Sequence, residues 1–222
     1  MRGLFSYDGF LSQTLSKLTD CICLSILWLV CCIPLVTVGA ATTALYYTVN
    51  KVVRQGGGGI WRQYWHSFRL NLKQSTVIWL ILVLIYVLLI VSGYYAFVLY
   101  VAGNVSKFYL IFLIVVAAVV TMWANYLFPC LARFNNTIKQ TMKNCCFFVV
   151  LNLIQSILHL VVFLATVAAS VLYPIGLLFL PGVGMLLNSY IMESVFKKYM
   201  SPEELALEDT GNAVDDERQI SR

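Results

Sequence analysis

Between Thr76 and Tyr100 the chain runs for 25 residues without one charged side chain. About 20 apolar residues carry a helix across the hydrocarbon of a bilayer. Only helices and closed barrels satisfy every backbone group in that medium. Phe108–Leu131 and Cys145–Tyr173 have the same character, the second longer than a span requires. The whole chain is 60% hydrophobic and 11% charged, with a mean hydropathy of +0.82, whereas soluble domains carry about 25% charge. The sequence therefore predicts an all-α, multi-pass transmembrane helical bundle.

The ends of the chain decide how many spans there are. An apolar run over Cys21–Ile33, extended by Leu15 and Leu18, stops at Pro34, because proline lacks a backbone donor and clashes with the preceding turn. Leu35–Val53 then resumes, rich in small residues (Gly39, Ala40, Ala41, Thr42, Thr43, Ala44) that let helices approach closely in lipid. This is either one kinked span or a tight hairpin of two. A last apolar stretch, punctuated by Pro174, Gly176, Pro181, Gly182 and Gly184, ends at Lys197 and Lys198.

Cations sit in the 51–73 loop, the 132–144 loop and the C-terminal end, while the 101–107 loop has one lysine. The excess of Lys and Arg on the inner side makes the first three cytoplasmic. A cytoplasmic N-terminus, favoured by Arg2 and Lys17, gives six spans; an outer one gives five. Six is preferred, as helical hairpins each introduced by a cytoplasmic amphipathic helix. A weak repeat agrees: Phe68-x-x-x-Leu72-Lys73-Gln74-Ser75 matches Phe134-x-x-x-Ile138-Lys139-Gln140-Thr141. Residues 1–200 then form one membrane domain, placed in the cell (plasma) membrane.

Residues 203–222 hold seven acidic side chains, Glu203, Glu204, Glu208, Asp209, Asp215, Asp216 and Glu217, against Arg218 and Arg222. Polar and without periodicity, residues 201–222 read as a disordered acidic cytoplasmic tail. The first 202 residues carry thirteen Lys or Arg against Asp8, Asp20 and Glu193. Cations flanking apolar runs point to an anionic lipid bilayer as partner, not to nucleic acid. Seven cysteines, mostly within or beside apolar runs, suggest neither a disulfide framework nor a zinc site. The first apolar run leads into Pro34 rather than a cleavage site, so no cleavable signal peptide is expected. No cofactor is implied.

Two stretches are candidate sites. In Ile60–Leu72, Trp61, Tyr64, Trp65 and Phe68 recur at three and four residues, and Arg62, His66, Arg69 and Lys73 form a second row. Residues so spaced share a helix face. An interfacial helix on the bilayer, a cover over the cytoplasmic ends of the bundle and a docking helix for a partner all fit that pattern. The Gly56–Gly59 run before it is a flexible lead.

The second stretch is the Cys145–Tyr173 span. There Asn152, Gln155, Ser156, His159, Thr166 and Ser170 line one face, which should point into the bundle or a wet cavity. It is either a polar pathway with His159 as a proton-sensitive element or a set of interhelical hydrogen bonds. Thr121, Asn125, Asn188 and Glu193 are candidate partners for it. Glu193 also lies one turn from Lys197, where the pair at i and i+4 is a structural alternative. Neither a P-loop nor a Ser/His/Asp arrangement is present, so the expectation is no enzyme.

Several segments together resemble the YesL-like family. They are Leu4-Phe5 with Asp8-Gly9, then Leu27-Trp28-Leu29 through Pro34–Gly39 to Ala44-Leu45-Tyr46-Tyr47. Ser67-Phe68-x-x-Asn71-x-Lys73-Gln74, Phe128-Pro129-x-Leu131-Ala132-Arg133-Phe134, and Asn188-Ser189-Tyr190 with Phe196-x-x-Tyr199 complete the series. The resemblance implies a small integral membrane protein of Gram-positive bacteria, of a family with no known function. It also implies a setting beside carbohydrate importers of the ATP-binding-cassette type and two-component sensors. The function expected from it is a non-enzymatic accessory or regulatory component of carbohydrate uptake or sensing, with importer or sensor-kinase subunits as partners. The alternative is a small transporter or channel using the polar face of the 145–173 helix.

Overall fold

The computed structural model describes residues 10–54, 59–104, 106–134 and 136–200, all helices and turns. The Leu4-Phe5 and Asp8-Gly9 motif, the glycine lead over 56–58 and the acidic tail lie outside the described residues. The helices are α1 (Phe10–Cys32), α2 (Val38–Thr48), α3 (Ile60–Val101), α4 (Lys107–Arg133), α5 (Ile138–Leu151), α6 (Leu153–Leu172) and α7 (Leu180–Phe196). Among the described residues, α1 from Leu15, α3, α4 and α6 are long and apolar enough to cross a membrane. Their side chains point mostly outward, large and apolar, as a hydrocarbon solvent requires.

At Pro34 the chain reverses. Thr37 Oγ1 donates to the Cys31 carbonyl, 2.6 Å away, at the end of α1, satisfying an acceptor that has no intrahelical partner there. Trp28 Nε1 then reaches Thr42 Oγ1 at 3.2 Å, a contact that two collinear helices could not make. A 3-10 turn, Leu35–Thr37, leads into α2. The Pro34 break is thus a turn that lays α2 back along α1.

Helix α2 packs tightly on α3 because its facing residues are small. Ala40, Ala41 and Ala44 are fully buried, and a Cβ on Gly39 would lie 2.6 Å from the Ser75 carbonyl oxygen. After Thr48 the backbone widens into a π-helical segment, Val49–Arg54. Such segments are rare and recur at functional sites.

The 60–73 segment is not a separate element. With no glycine or proline between Ile60 and Ser92, nothing breaks the helix, and α3 continues through both the amphipathic and the apolar part. Its 42 residues extend ~63 Å, about twice the hydrocarbon thickness. At its far end Gly103 adopts φ +77°. There the Asn104 N–H donates to the Leu99 carbonyl and the Gly103 N–H to that of Tyr100, a Schellman ending. Helix α4 returns antiparallel, with Tyr86 OH donating to Thr121 Oγ1 at 3.2 Å.

The expected single span over Cys145–Tyr173 is interrupted. Asn152 leaves helical geometry (φ −127°, ψ 54°) and separates α5 from α6. Its Nδ2 donates to the Phe148 carbonyl and to Tyr199 OH. Asparagine side chains compete with the helix for backbone groups in this way, a preference that hydrophobic periodicity does not register.

Helix α7 ties the molecule together. A Cβ on Gly182 would overlap the Cys21 carbonyl of α1, and the Gly182 N–H donates to Ser25 Oγ at 2.8 Å. Gly184 meets Thr166 of α6. Farther along, Ser189 touches the π-helical segment, Glu193 touches α2 and α4, and Phe196 packs on Tyr126, Phe134 and Phe148.

Candidate functional site

The aromatic and basic rows of α3 divide. Tyr64 and Phe68 are buried against Ala40, Ala41, Ala44 and Leu45 of α2, with Ser67, Asn71 and Ser75 on the same inward side. Trp61 is 65% exposed, and Arg62, Arg69 and Lys73 stand outward. Trp65 and His66 are half-buried between the two sides. Trp65 bridges them, edge-on to Trp61 at 5.9 Å and to Phe68 at 5.4 Å. The outward side forms an open groove of about 580 Å³ lined by Trp61, Arg62, Trp65, His66, Arg69 and Leu70. Indole rings beside guanidinium groups suit an anionic ligand with some apolar surface.

Asn152, at the α5–α6 junction, and Ser156 and His159 of α6 are buried, while Gln155, Thr166 and Ser170 are partly so. Their partners are not the expected ones. Ser156 Oγ is 3.1 Å from Tyr126 OH, and the His159 ring stacks on Tyr126 at 5.8 Å. Asn152 binds Tyr199, and its Oδ1 accepts from Lys198 Nζ. Thr166 and Ser170 donate to carbonyls one turn back, those of Val162 and Thr166. Among the four candidates, Thr121 pairs with Tyr86, and Glu193 belongs to a different cluster. His159 Nδ1, Asn125 Nδ2 and Asn188 Oδ1 are buried with no hydrogen-bond partner among the described residues.

That different cluster was not foreseen. Glu193, 2% exposed, accepts hydrogen bonds at Oε1 from Tyr46 OH and Asn50 Nδ2, both at 2.9 Å. Its Oε2 lies 3.6 Å from Arg133 Nη2. Asn50 Oδ1 accepts from Arg54 Nη1 at 2.8 Å, and the same nitrogen reaches the Ser189 carbonyl. The Arg54 guanidinium also sits 4.5 Å over the Tyr190 ring. Glu193 therefore faces inward rather than pairing with Lys197. One carboxylate joins α2, the π-helical segment, α4 and α7, with two arginines around it. From sequence, the one signal was an acidic residue, Glu193, within the last apolar stretch; Arg54 and Arg133 were indistinguishable from the other loop cations. The seven cysteines are free thiols.

Residues 21–92, from within α1 to Ser92 of α3, match the model of a family described as "Protein of unknown function, DUF624". No curated protein and no solved structure matches the chain. The matched segment contains the Pro34 turn, α2, the π-helical segment and the basic-aromatic part of α3, so over that stretch the chain is similar to a family whose activity is undefined.

Proposed function

We propose that this chain is a non-enzymatic, multi-pass protein of the cell membrane. It serves as an accessory or regulatory component of carbohydrate uptake by importers of the ATP-binding-cassette type, or of carbohydrate sensing. The observation that carries the reading is the outward side of α3. Tyr64 and Phe68 fix the helix to α2, leaving Trp61, Arg62, Trp65 and Arg69 displayed on a rigid support. Aromatic and arginine side chains held this way are the usual centres of protein interfaces. The setting beside importers and sensors comes from the resemblance to the YesL-like family.

Six crossings accommodate this arrangement, taking the four long helices together with Val38–Arg54 and α7, each at the lower limit of spanning length. The cation-rich ends, the docking side of α3 and the C-terminus then lie in the cytoplasm beside anionic headgroups.

The test is recovery of the tagged chain from native membranes in mild detergent, with mass spectrometry of what accompanies it. Importer or sensor-kinase subunits are expected in stoichiometric amounts, and the W61A/R62A/W65A variant should lose them while remaining membrane-inserted. Retention by that variant overturns the docking assignment. Recovery of the chain alone favours the second reading, a small transporter or channel, which the buried His159 Nδ1 and Asn125 Nδ2, without hydrogen-bond partners among the described residues, support. Replacing Gln155 and His159 with leucine should then stop solute flux into proteoliposomes.

A further inference from the structure

The described part of the chain holds two carboxylates, Asp20 and Glu193. Glu193 is buried against Tyr46, Asn50 and Arg133, and Asp20 lies on α1. Arg62, Arg69 and Lys73 nevertheless stand exposed along one helix, beside an open groove floored by Trp61 and Trp65. Seven of the chain's ten acidic residues lie in the last twenty positions. Two of their clusters, Glu203-Glu204 and Glu208-Asp209, flank Leu205 and Leu207. Alternating acidic and apolar chemistry is what a groove of arginines and indoles recognises.

We propose that the acidic C-terminal segment, residues 201–222, docks on the Trp61–Arg62–Trp65–Arg69 side of α3 in its own chain and covers it against other partners. The inference rests on reading that side as the docking surface and supplies its regulation. Reach permits it. Met200, the last described residue, lies against Arg133, whose Nη2 is 3.4 Å from Met200 Sδ, and Arg133 lies against Glu193. Arg54 touches Ser189 on the same helix as Glu193, and the six Cα steps from Arg54 to Ile60 span at most ~23 Å. The seven steps from Met200 to Leu207 cover up to ~25 Å and the 22 residues of the segment up to ~70 Å. The attraction is electrostatic between exposed groups, so it is reversible and weakens with salt. That property suits a cover displaced by a competing anionic surface.

The experiment uses the full chain in native-like membranes, with the photo-reactive residue p-benzoylphenylalanine at Leu207 and, separately, at Ile220. Irradiation followed by peptide mapping is expected to join the Leu207 position to residues 61–70 within a single chain. The exposed double substitution R62E/R69E should lower that product about fivefold or more, because like charges then face each other. Reversing the opposite side with E203K/E204K/E208K/D209K should restore it, an outcome that misfolding cannot produce. Crosslinks confined to other segments, a product joining two chains, or a yield indifferent to R62E/R69E would each overturn the proposal. Recovery of importer or sensor subunits separates the two readings. If the crosslink fails while W61A/R62A/W65A still loses its partner, the docking surface stands and only its intramolecular cover is removed.

Discussion

Glu193 holds residues of three other elements around one buried carboxylate. Its two oxygens meet a phenol, an amide and a guanidinium from α2, the π-helical segment and α4. A carboxylate withdrawn from solvent is costly unless paired, and removal of one partner leaves the rest uncompensated, at about 3–5 kcal/mol. Glu193→Ala should accordingly destabilise the purified protein by about that amount, because Tyr46, Asn50 and Arg133 then lose the buried carboxylate they share. Glu193→Gln keeps an acceptor for Tyr46 and Asn50 and should lie between the two. Thermal unfolding in one detergent ranks the three, and an alanine variant as stable as the wild type would show that the cluster contributes no net stability. The sequence offered Lys197, four residues away, as the partner. Tyr46 and Asn50 are 147 and 143 residues distant, and no local pattern connects positions so far apart.

Among the helices, what was readable was what depends on local chemistry. Uncharged length gave the apolar parts of α3 and α4, Pro34 gave a break, and the three-and-four spacing gave the amphipathic start of α3. Ser106 and Thr137 cap α4 and α5 through their side chains, as such residues commonly do. What was not readable depended on neighbours. The aromatic row of α3 divides between α2 and the outside because α2 is narrow enough to admit only Tyr64 and Phe68. The polar row of α6 is met by Tyr126, Tyr199 and Lys198, whose approach follows from the course of α4 and α7. The interruption at Asn152 was hidden by an apolar run with no proline or glycine in it.

Glycine positions separate contact from mere flexibility. Gly39 lies against Ser75, Trp79 and Phe128, whereas a Cβ on Gly93 of α3 would meet nothing within 4 Å. Gly39→Ala should therefore lower the unfolding temperature of the detergent-solubilised protein by several degrees, since overpacking costs about 1–3 kcal/mol. Gly93→Ala should leave it unchanged or raise it slightly. Equal behaviour of the two variants would mean that α2 and α3 separate without cost.

At the scale of the whole molecule, the proposed six crossings make a prediction for each end and turn. A green fluorescent protein joined after residue 222 should fluoresce, because the C-terminus is placed in the cytoplasm. Alkaline phosphatase inserted at Asn104, in the α3–α4 turn, should be active. Fusions near Pro34 distinguish six spans from five: high phosphatase activity there fits a hairpin crossing twice, and low activity requires an outer N-terminus. Inverted signals at Asn104 and the C-terminus would reverse the orientation. The joining role of α7 has a further consequence, for the order in which the protein is made. The ribosome delivers Arg54 and Arg133 to the membrane long before Glu193, and α1, α2, α4 and α6 each wait for a contact that α7 supplies. The bundle can therefore close around its central charge only once synthesis has passed Glu193, near the end of the chain.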